Sequence, residues 1–112
     1  TPEAAQGLGK VLLEDKSSAV LRHEVAFVLG QMQQKTALTA LETSLRDLSE
    51  NQMVRHEAAE AIGAIAEESA NPLLEEFVKD SNQVVAESCV IALDISEYWT
   101  DENQFEYAHV DK

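Results

Sequence analysis

Apolar residues recur along most of the chain at the three- and four-residue spacing that is typical of amphipathic helices. In the segment VRHEAAEAIGAI, the residues that fall on one side of a helix are Val54, Ala58, Ala61, Ile62 and Ile65. Short linkers that carry serine and asparagine, the residues that favour helix starts, separate such segments. The pattern predicts six helices followed by an irregular tail from about residue 100.

The helical pattern is repeated within the chain. Residues 21–32 read LRHEVAFVLGQM, residues 54–65 read VRHEAAEAIGAI, and a degraded third copy at residues 84–95 reads VVAESCVIALDI. A shorter amphipathic stretch precedes each copy, and a single helical hairpin cannot bury its apolar stripe alone. The sequence therefore predicts an all-α fold, an α-solenoid of three HEAT-like helical hairpins. We expect a repeat domain over residues 1–99 and an acidic C-terminal tail over residues 100–112.

The composition is acidic, since 8 Lys and Arg stand against 21 Asp and Glu and give a net charge of −13. Nucleic acids and anionic membrane surfaces are bound through Lys and Arg, so the charge argues against both partners and favours a cationic one. The longest apolar runs are about five residues, far short of the roughly 20 that span a bilayer. Cys89 is the single cysteine, which favours a reducing, cytoplasmic location, and we expect it to be a buried residue rather than a nucleophile.

Two His-Glu pairs, at residues 23–24 and 56–57, occupy the same phase of the first two copies. Both histidines lie opposite the apolar stripe, and each shares its side of the helix with small residues that include Gly30 or Gly63. Glycine inside a helix costs about 1 kcal/mol relative to alanine. Either close helix packing or the approach of a ligand to the backbone explains why glycine is present despite this cost. The third copy lacks the histidine and the glycine together, which is typical of parts of one site.

The two histidines are candidates for binding one metal ion. Packed helices lie 8–10 Å apart, and equivalent positions of stacked repeats face the same way, so His23 and His56 can approach a shared ion with a neighbouring carboxylate. Two histidines and a carboxylate with open positions form the ligand set of oxygen-activating non-haem iron, whereas structural zinc usually takes four protein ligands. Duplication of a surface histidine without any function is the competing explanation.

The motifs LRHEVAFVLGQMQ and MVRHEAAEAIGAIA, one repeat apart, together with the segment ESCVIALDISEY, resemble deoxyhypusine hydroxylase, a family of HEAT-repeat di-iron monooxygenases. The resemblance covers nearly the whole chain. It implies an enzyme that uses molecular oxygen and non-haem iron to hydroxylate the deoxyhypusine side chain of a translation factor, which completes hypusine. The cationic substrate agrees with the acidic composition.

The resemblance also implies roles for individual residues. The implied ligands of one iron are His23, His56 and Glu57. The implied substrate-binding residues are Glu24, Met53 and Gly30. Members of the family carry four His-Glu pairs in two similar halves, and this chain has two pairs and begins with Thr1 rather than Met. We therefore expect a C-terminal half that supplies ligands for one iron, pairs with the other HEAT half, and alone binds metal weakly and is inactive. The alternative is that two copies of the chain pair face to face and rebuild a site with four His-Glu pairs.

Two other functions stay open. A non-enzymatic HEAT-repeat scaffold would bind a protein along its concave face and use the His-Glu pairs as polar contacts to a basic peptide. A short HEAT-repeat protein similar to bilin lyases would handle a tetrapyrrole. Only the hydroxylase interpretation predicts iron affinity that is lost in His23→Ala and His56→Ala.

Overall fold

The computed structural model describes the backbone of residues 1–110 and the side chains of residues 1–98. Its helices are α1 (Pro2–Glu14), α2 (Ala19–Met32), α3 (Leu38–Arg46), α4 (Gln52–Ile65), α5 (Asn71–Phe77) and α6 (Gln83–Val110). Short 3-10 turns at Lys35–Ala37 and Glu68–Ala70 lead into α3 and α5. The described residues contain no strand, so the predicted all-α fold is confirmed.

The helices form three stacked hairpins, α1–α2, α3–α4 and α5–α6, and the second helix of each hairpin packs against the second helix of the next. Helix α4 lies between α2 and α6 and is therefore buried on two sides. The apolar stripe predicted for α4 is buried along its whole length, from Val54 to Ile65. This arrangement is the predicted solenoid, and α4 is its central element.

Side-chain caps fix where the second helices begin. Ser18 Oγ accepts a hydrogen bond from the backbone N–H of Leu21 at 3.1 Å, and Asn51 Oδ1 accepts one from Met53 at 2.8 Å. The starts of α2 and α4 then place His23 and His56 at the same position, the fifth residue of each helix. Local capping thus gives the two histidines the same phase and the same distance from the helix start.

Two expectations about the ends of the solenoid are wrong. Residues beyond 100 are helical rather than irregular, since α6 continues to Val110, and the segment TDENQFEYAHV holds no proline or glycine to stop it. The helical spacing that predicts the apolar stripe of α4 also predicts Leu21 and Val28 on the buried side of α2. They are instead 45% and 40% exposed, because α2 has a stacked neighbour on one side only in the part of the chain described. The side chains of the tail lie outside the described residues, and the domain division at residue 99 stays a prediction.

Two further expectations concern burial and membranes. Cys89 is fully buried, as expected, and burial raises the pKa of its thiol to about 11, so the reactive thiolate is suppressed at neutral pH. Among the helices of the described residues, none is both long and apolar enough to cross a bilayer.

A buried arginine links the hairpins near the histidines. Arg55 donates from Nε to the carbonyl of Leu45 at 2.9 Å, and from its terminal nitrogen to Asp80 Oδ2 at 2.6 Å. Both side chains are at most 5% exposed, and the guanidinium also lies over the ring of Phe77, 5.9 Å from its centroid. Arg55 precedes His56 in the chain, so this ion pair ties the start of α4 to α3 and to the turn before α6.

We expect the protein to lose stability in acid as its hydrogen-bonded aspartates are protonated. The hydrogen bond from Arg55 is the main cause that holds the pKa of Asp80 below its usual 3.8, and hydrogen bonds from the serine two residues on lower the pKa of Asp15 and Asp47. Carboxyl groups whose folded pKa is depressed stabilise the folded state above the unfolded pKa, and this contribution is lost as the pH falls through the folded pKa. Urea unfolding should therefore show a falling midpoint below about pH 4. A urea unfolding midpoint that stays constant as the pH falls below about 4 contradicts this explanation.

Candidate metal centre

The two histidines converge on one carboxylate where α2 and α4 pack together. Glu57 Oε1 lies 3.3 Å from His23 Nε2 and 3.8 Å from His56 Nε2. The side chains of His23, His56 and Glu57 are 30%, 23% and 12% exposed, so the cluster is open to solvent on one side. The structure brings these three residues together, and their role as metal ligands stays a prediction.

Close helix packing explains the glycines beside the histidines. A Cβ atom at Gly30 would lie 3.0 Å from the Cα of Ala61 on α4, and one at Gly63 would lie 2.7 Å from the Cα of Ala92 on α6. Packing of one helix backbone against the next, one of the two explanations that the sequence left open, therefore accounts for both glycines. The same close approach brings the side chains of neighbouring helices within reach of one another at the cluster.

Two more polar residues contact His56, and neither contact was predicted from the sequence. Glu60 Oε1 lies 3.3 Å from His56 Nε2, and Ser88 Oγ on α6 forms a hydrogen bond with His56 Nδ1. Glu60 follows His56 by four residues, a helical spacing that could have indicated the contact. Ser88 lies in the degraded third copy and matches no residue of the His-Glu motif, so no sequence signal pointed to it.

The donor set fits a divalent transition metal. His56, Glu57 and Glu60 each offer one ligand atom, and these atoms lie within 4.8 Å of one another. His23 Nε2 adds a fourth donor atom beside Glu57. Metal bonds of 2.0–2.2 Å place ligand atoms about 3 Å apart, so small side-chain rotations suffice to close the set. Imidazole and carboxylate donors together suit iron among other first-row metals.

The residues predicted to bind substrate lie around this cluster but do not share one cavity. Met53 lines a cavity of about 330 Å³ with His23. Gly30 lines a different cavity, of about 250 Å³, whose wall includes Glu57. Glu24 is largely exposed, and its Oε1 lies 3.7 Å from His23 Nδ1. Substrate binding by Glu24, Met53 and Gly30 stays a prediction.

The cavity beside Gly30 combines apolar walls with two carboxylates. Its apolar lining comes from all three second helices and consists of Phe27, Ala61, Ala64, Ile91 and Ile95. The carboxylates of Glu57 and Glu60 lie in the same lining. Such a cavity suits a ligand with an aliphatic chain and a cationic group, because methylene groups gain by burial and the charge is neutralised.

The stacked hairpins and the converging histidines define a HEAT-repeat protein with a candidate metal centre. A family model described as HEAT repeats matches residues 5–94, and the chain belongs to this family.

Within this class the chain is similar to deoxyhypusine hydroxylases. It is 56% identical over 96 residues to deoxyhypusine hydroxylase of Dictyostelium discoideum, which covers 86% of this chain and 30% of the relative. It is 63% identical over 91 residues to the Arabidopsis thaliana enzyme, with 81% of this chain and 29% of the relative covered. The structure of human deoxyhypusine hydroxylase in complex with glycerol matches with a TM-score of 0.81 at 46% identity, over 86% of this chain and 33% of that chain. The resemblance seen in the motifs is confirmed, and the chain spans about 30% of the length of these relatives.

Proposed function

We propose that the chain is part of the C-terminal half of a deoxyhypusine hydroxylase, which uses a non-haem di-iron centre and O2 to hydroxylate the deoxyhypusine side chain of a translation factor to hypusine. The observation that carries the proposal is the position of Glu57 Oε1 between the Nε2 atoms of His23 and His56. Identities of 56% and 63% with relatives of that name support the same activity. We place this activity in the cytoplasm.

Three residues of the cluster hold one iron in this proposal. His23 and His56 bind through Nε2, and Glu57 binds through Oε1, the atom that faces both rings. The iron centre, when bound, supplies the oxygen chemistry that breaks an unactivated C–H bond, which amino-acid side chains do not provide. The chain contributes by fixing the ligands, since α2 and α4 are in backbone contact at Gly30 and cannot slide apart freely.

The carboxylates that are not needed as ligands serve the cationic substrate. Glu24 and Glu60 flank the two histidines and supply negative charge on either side of the proposed iron. The apolar walls at Phe27 and Ile91 suit the methylene groups of a polyamine-derived side chain. Gly30 and Met53 contribute to the two cavities in which the chain of the substrate is held. The net charge of −13 attracts the cationic substrate over a longer range.

A second HEAT half completes the site. The apolar residues Val20 and Phe27 on α2, together with Met53 on α4, are exposed beside the metal cluster. Exposed apolar residues grouped in this way are typical of an interaction surface. Covering them removes water from the cluster and strengthens its electrostatic interactions. We expect this half to be inactive alone, because its ligand set serves one iron of the two.

Metal titration tests the ligand assignment. We expect the chain to bind one Fe(II) ion under anaerobic conditions. Each of His23→Ala, His56→Ala and Glu57→Gln should weaken this binding. The loss should exceed about 10- to 100-fold, the loss that is typical when a residue that supports a ligand is replaced. The matched control is Glu75→Gln on α5, an exposed carboxylate, which should leave the affinity unchanged. Affinity that is equal in all four variants contradicts the assignment and favours the protein-binding scaffold.

Reconstitution tests the activity. Addition of the N-terminal half of the Dictyostelium discoideum relative should allow this chain to add one oxygen atom to a deoxyhypusine-containing translation factor, detected by mass spectrometry. Neither half should do so alone. Turnover by this chain alone refutes the proposal that it carries only half of the active site. Metal binding without turnover in the reconstituted pair refutes the proposed substrate.

A further inference from the structure

Two contacts of a buried serine in the third hairpin bear on which ring nitrogen of His56 carries the proton. Ser88 is 2% exposed, and its Oγ donates to the backbone carbonyl of Val84 at 2.6 Å. A hydroxyl has one proton to donate, so towards His56 Nδ1 the same Oγ acts as the acceptor. His56 Nδ1 therefore carries a hydrogen and donates it to Ser88.

The consequence concerns the opposite nitrogen. In a neutral imidazole one nitrogen is the donor and the other is the acceptor, so Nε2 of His56 presents a lone pair. Nε2 lies 3.3 Å from Glu60 Oε1 and 3.8 Å from Glu57 Oε1. A lone pair at Nε2 is favourable here when a cation lies between it and the proposed ligand Glu57. The tautomer imposed by Ser88 is therefore the one that a metal at the cluster requires.

We propose that Ser88 is a positioning residue that holds His56 as the Nδ1–H tautomer, with Nε2 presented to the metal. The proposal rests on the function proposed above, in which Nε2 is the ligand atom. The third hairpin, which has lost the His-Glu motif, then contributes to the centre through this hydroxyl. Metal-ligating histidines commonly donate their other N–H to such a partner, which fixes both ring orientation and tautomer.

Among the residues whose side chains are described, none supports His23 as Ser88 supports His56. Its Nδ1 lies 3.7 Å from Glu24 Oε1, which is beyond hydrogen-bond distance, and that carboxylate is largely exposed. The two histidines of the cluster therefore differ, because Ser88 fixes His56 while the ring of His23 lacks a buried acceptor at that contact. We expect the loss of the Ser88 hydroxyl to alter His56 and to leave His23 unchanged.

The tautomer is tested on the metal-free chain by nitrogen NMR of the imidazole rings, followed upward in pH until the spectrum no longer changes. The wild-type protein should show a protonated Nδ1 for His56, the hydrogen that it donates to Ser88. Ser88→Ala should lose this preference, and Ser88→Thr, which keeps the hydroxyl, should retain it. An unchanged His56 spectrum in Ser88→Ala overturns the proposal.

Metal affinity supplies the second readout, with Co(II) as a redox-stable probe of the iron site. Ser88→Ala should weaken Co(II) binding about 10- to 100-fold, and Ser88→Thr should restore most of it. The matched control is Ser96→Ala, because Ser96 is also buried on α6 but its Oγ bonds Asn71 Oδ1 at 3.1 Å. An equal loss in Ser96→Ala overturns the proposal. If the wild-type chain binds no Co(II), the proposed metal site is refuted. The NMR spectrum then still tests whether His56 donates a hydrogen bond to Ser88.

Discussion

Replacing Asp80 with asparagine is expected to lower the free energy of unfolding by about 3 kcal/mol, because it leaves the guanidinium of Arg55 buried without a counter-charge. Both side chains are at most 5% exposed, and the ion pair has a 2.6 Å contact. Asparagine keeps the size of the side chain and an oxygen that can accept from the backbone N–H of Asn82. The variant therefore removes the charge with little change of shape, and urea unfolding at neutral pH measures the effect.

An exposed ion pair provides the matched control. Arg46 and Glu76 approach to 3.5 Å and also join neighbouring hairpins, but both side chains are more than half exposed. Glu76→Gln should cost at most about 1 kcal/mol, since solvent screens exposed pairs. The double variant Arg55→Met with Asp80→Asn should recover part of the loss, because no buried charge remains. Equal costs in Asp80→Asn and Glu76→Gln would contradict the role of burial.

The buried pair also connects stability with the candidate metal centre. Arg55 lies next to His56 on α4, so the interactions that anchor Arg55 also hold the start of the helix that carries His56 and Glu57. We therefore expect Asp80→Asn to weaken metal binding as well, although Asp80 does not touch the cluster. A variant that unfolds more easily but binds metal normally would show that the two properties are independent.

The sequence was sufficient for the architecture because the architecture follows from periodicity. The apolar spacing gave the helices, and the repeat gave the stacking. The shared phase of the two His-Glu pairs was also sufficient to predict that His23 and His56 approach one another, since equivalent residues of stacked hairpins face the same way. These properties depend on local spacing and on the regularity of the solenoid, and both are visible in the amino-acid order.

The contacts across helices were not visible in the sequence. Gly30 packs on Ala61 rather than on its repeat equivalent Gly63, so sequence equivalence does not give the register between helices. The same limit explains why Ser88 was missed, because its contact with His56 depends on how far α6 is shifted along α4. The helical tail was missed for another reason, since acidic composition was interpreted as irregular structure while the absence of helix-breaking residues was not weighed.

The register between α4 and α6 can be tested at Gly63. Gly63→Ala is expected to lower the free energy of unfolding by about 1–3 kcal/mol, the usual cost of overpacking, because the new Cβ would lie 2.7 Å from the Cα of Ala92. The neighbouring atoms at closest approach include backbone, which cannot rotate away as a side chain can. Thermal and urea unfolding measure the loss. The displaced helices should also separate Ser88 from His56, so the His56 tautomer should change as it does in Ser88→Ala.

The control for this substitution is another helical glycine in the same chain. A Cβ atom at Gly7 on α1 would have no atom of the described residues within 4 Å, so Gly7→Ala should stabilise the protein by about 0.5–1 kcal/mol through helix propensity alone. Gly30→Ala should fall between the two, because its nearest backbone atom is at 3.0 Å. The expected order of stability, from highest to lowest, is therefore Gly7→Ala, Gly30→Ala, Gly63→Ala. Gly63→Ala with wild-type stability would mean that α6 can shift along α4, and the hydrogen bond to His56 would then lack the rigid support that we assign to it.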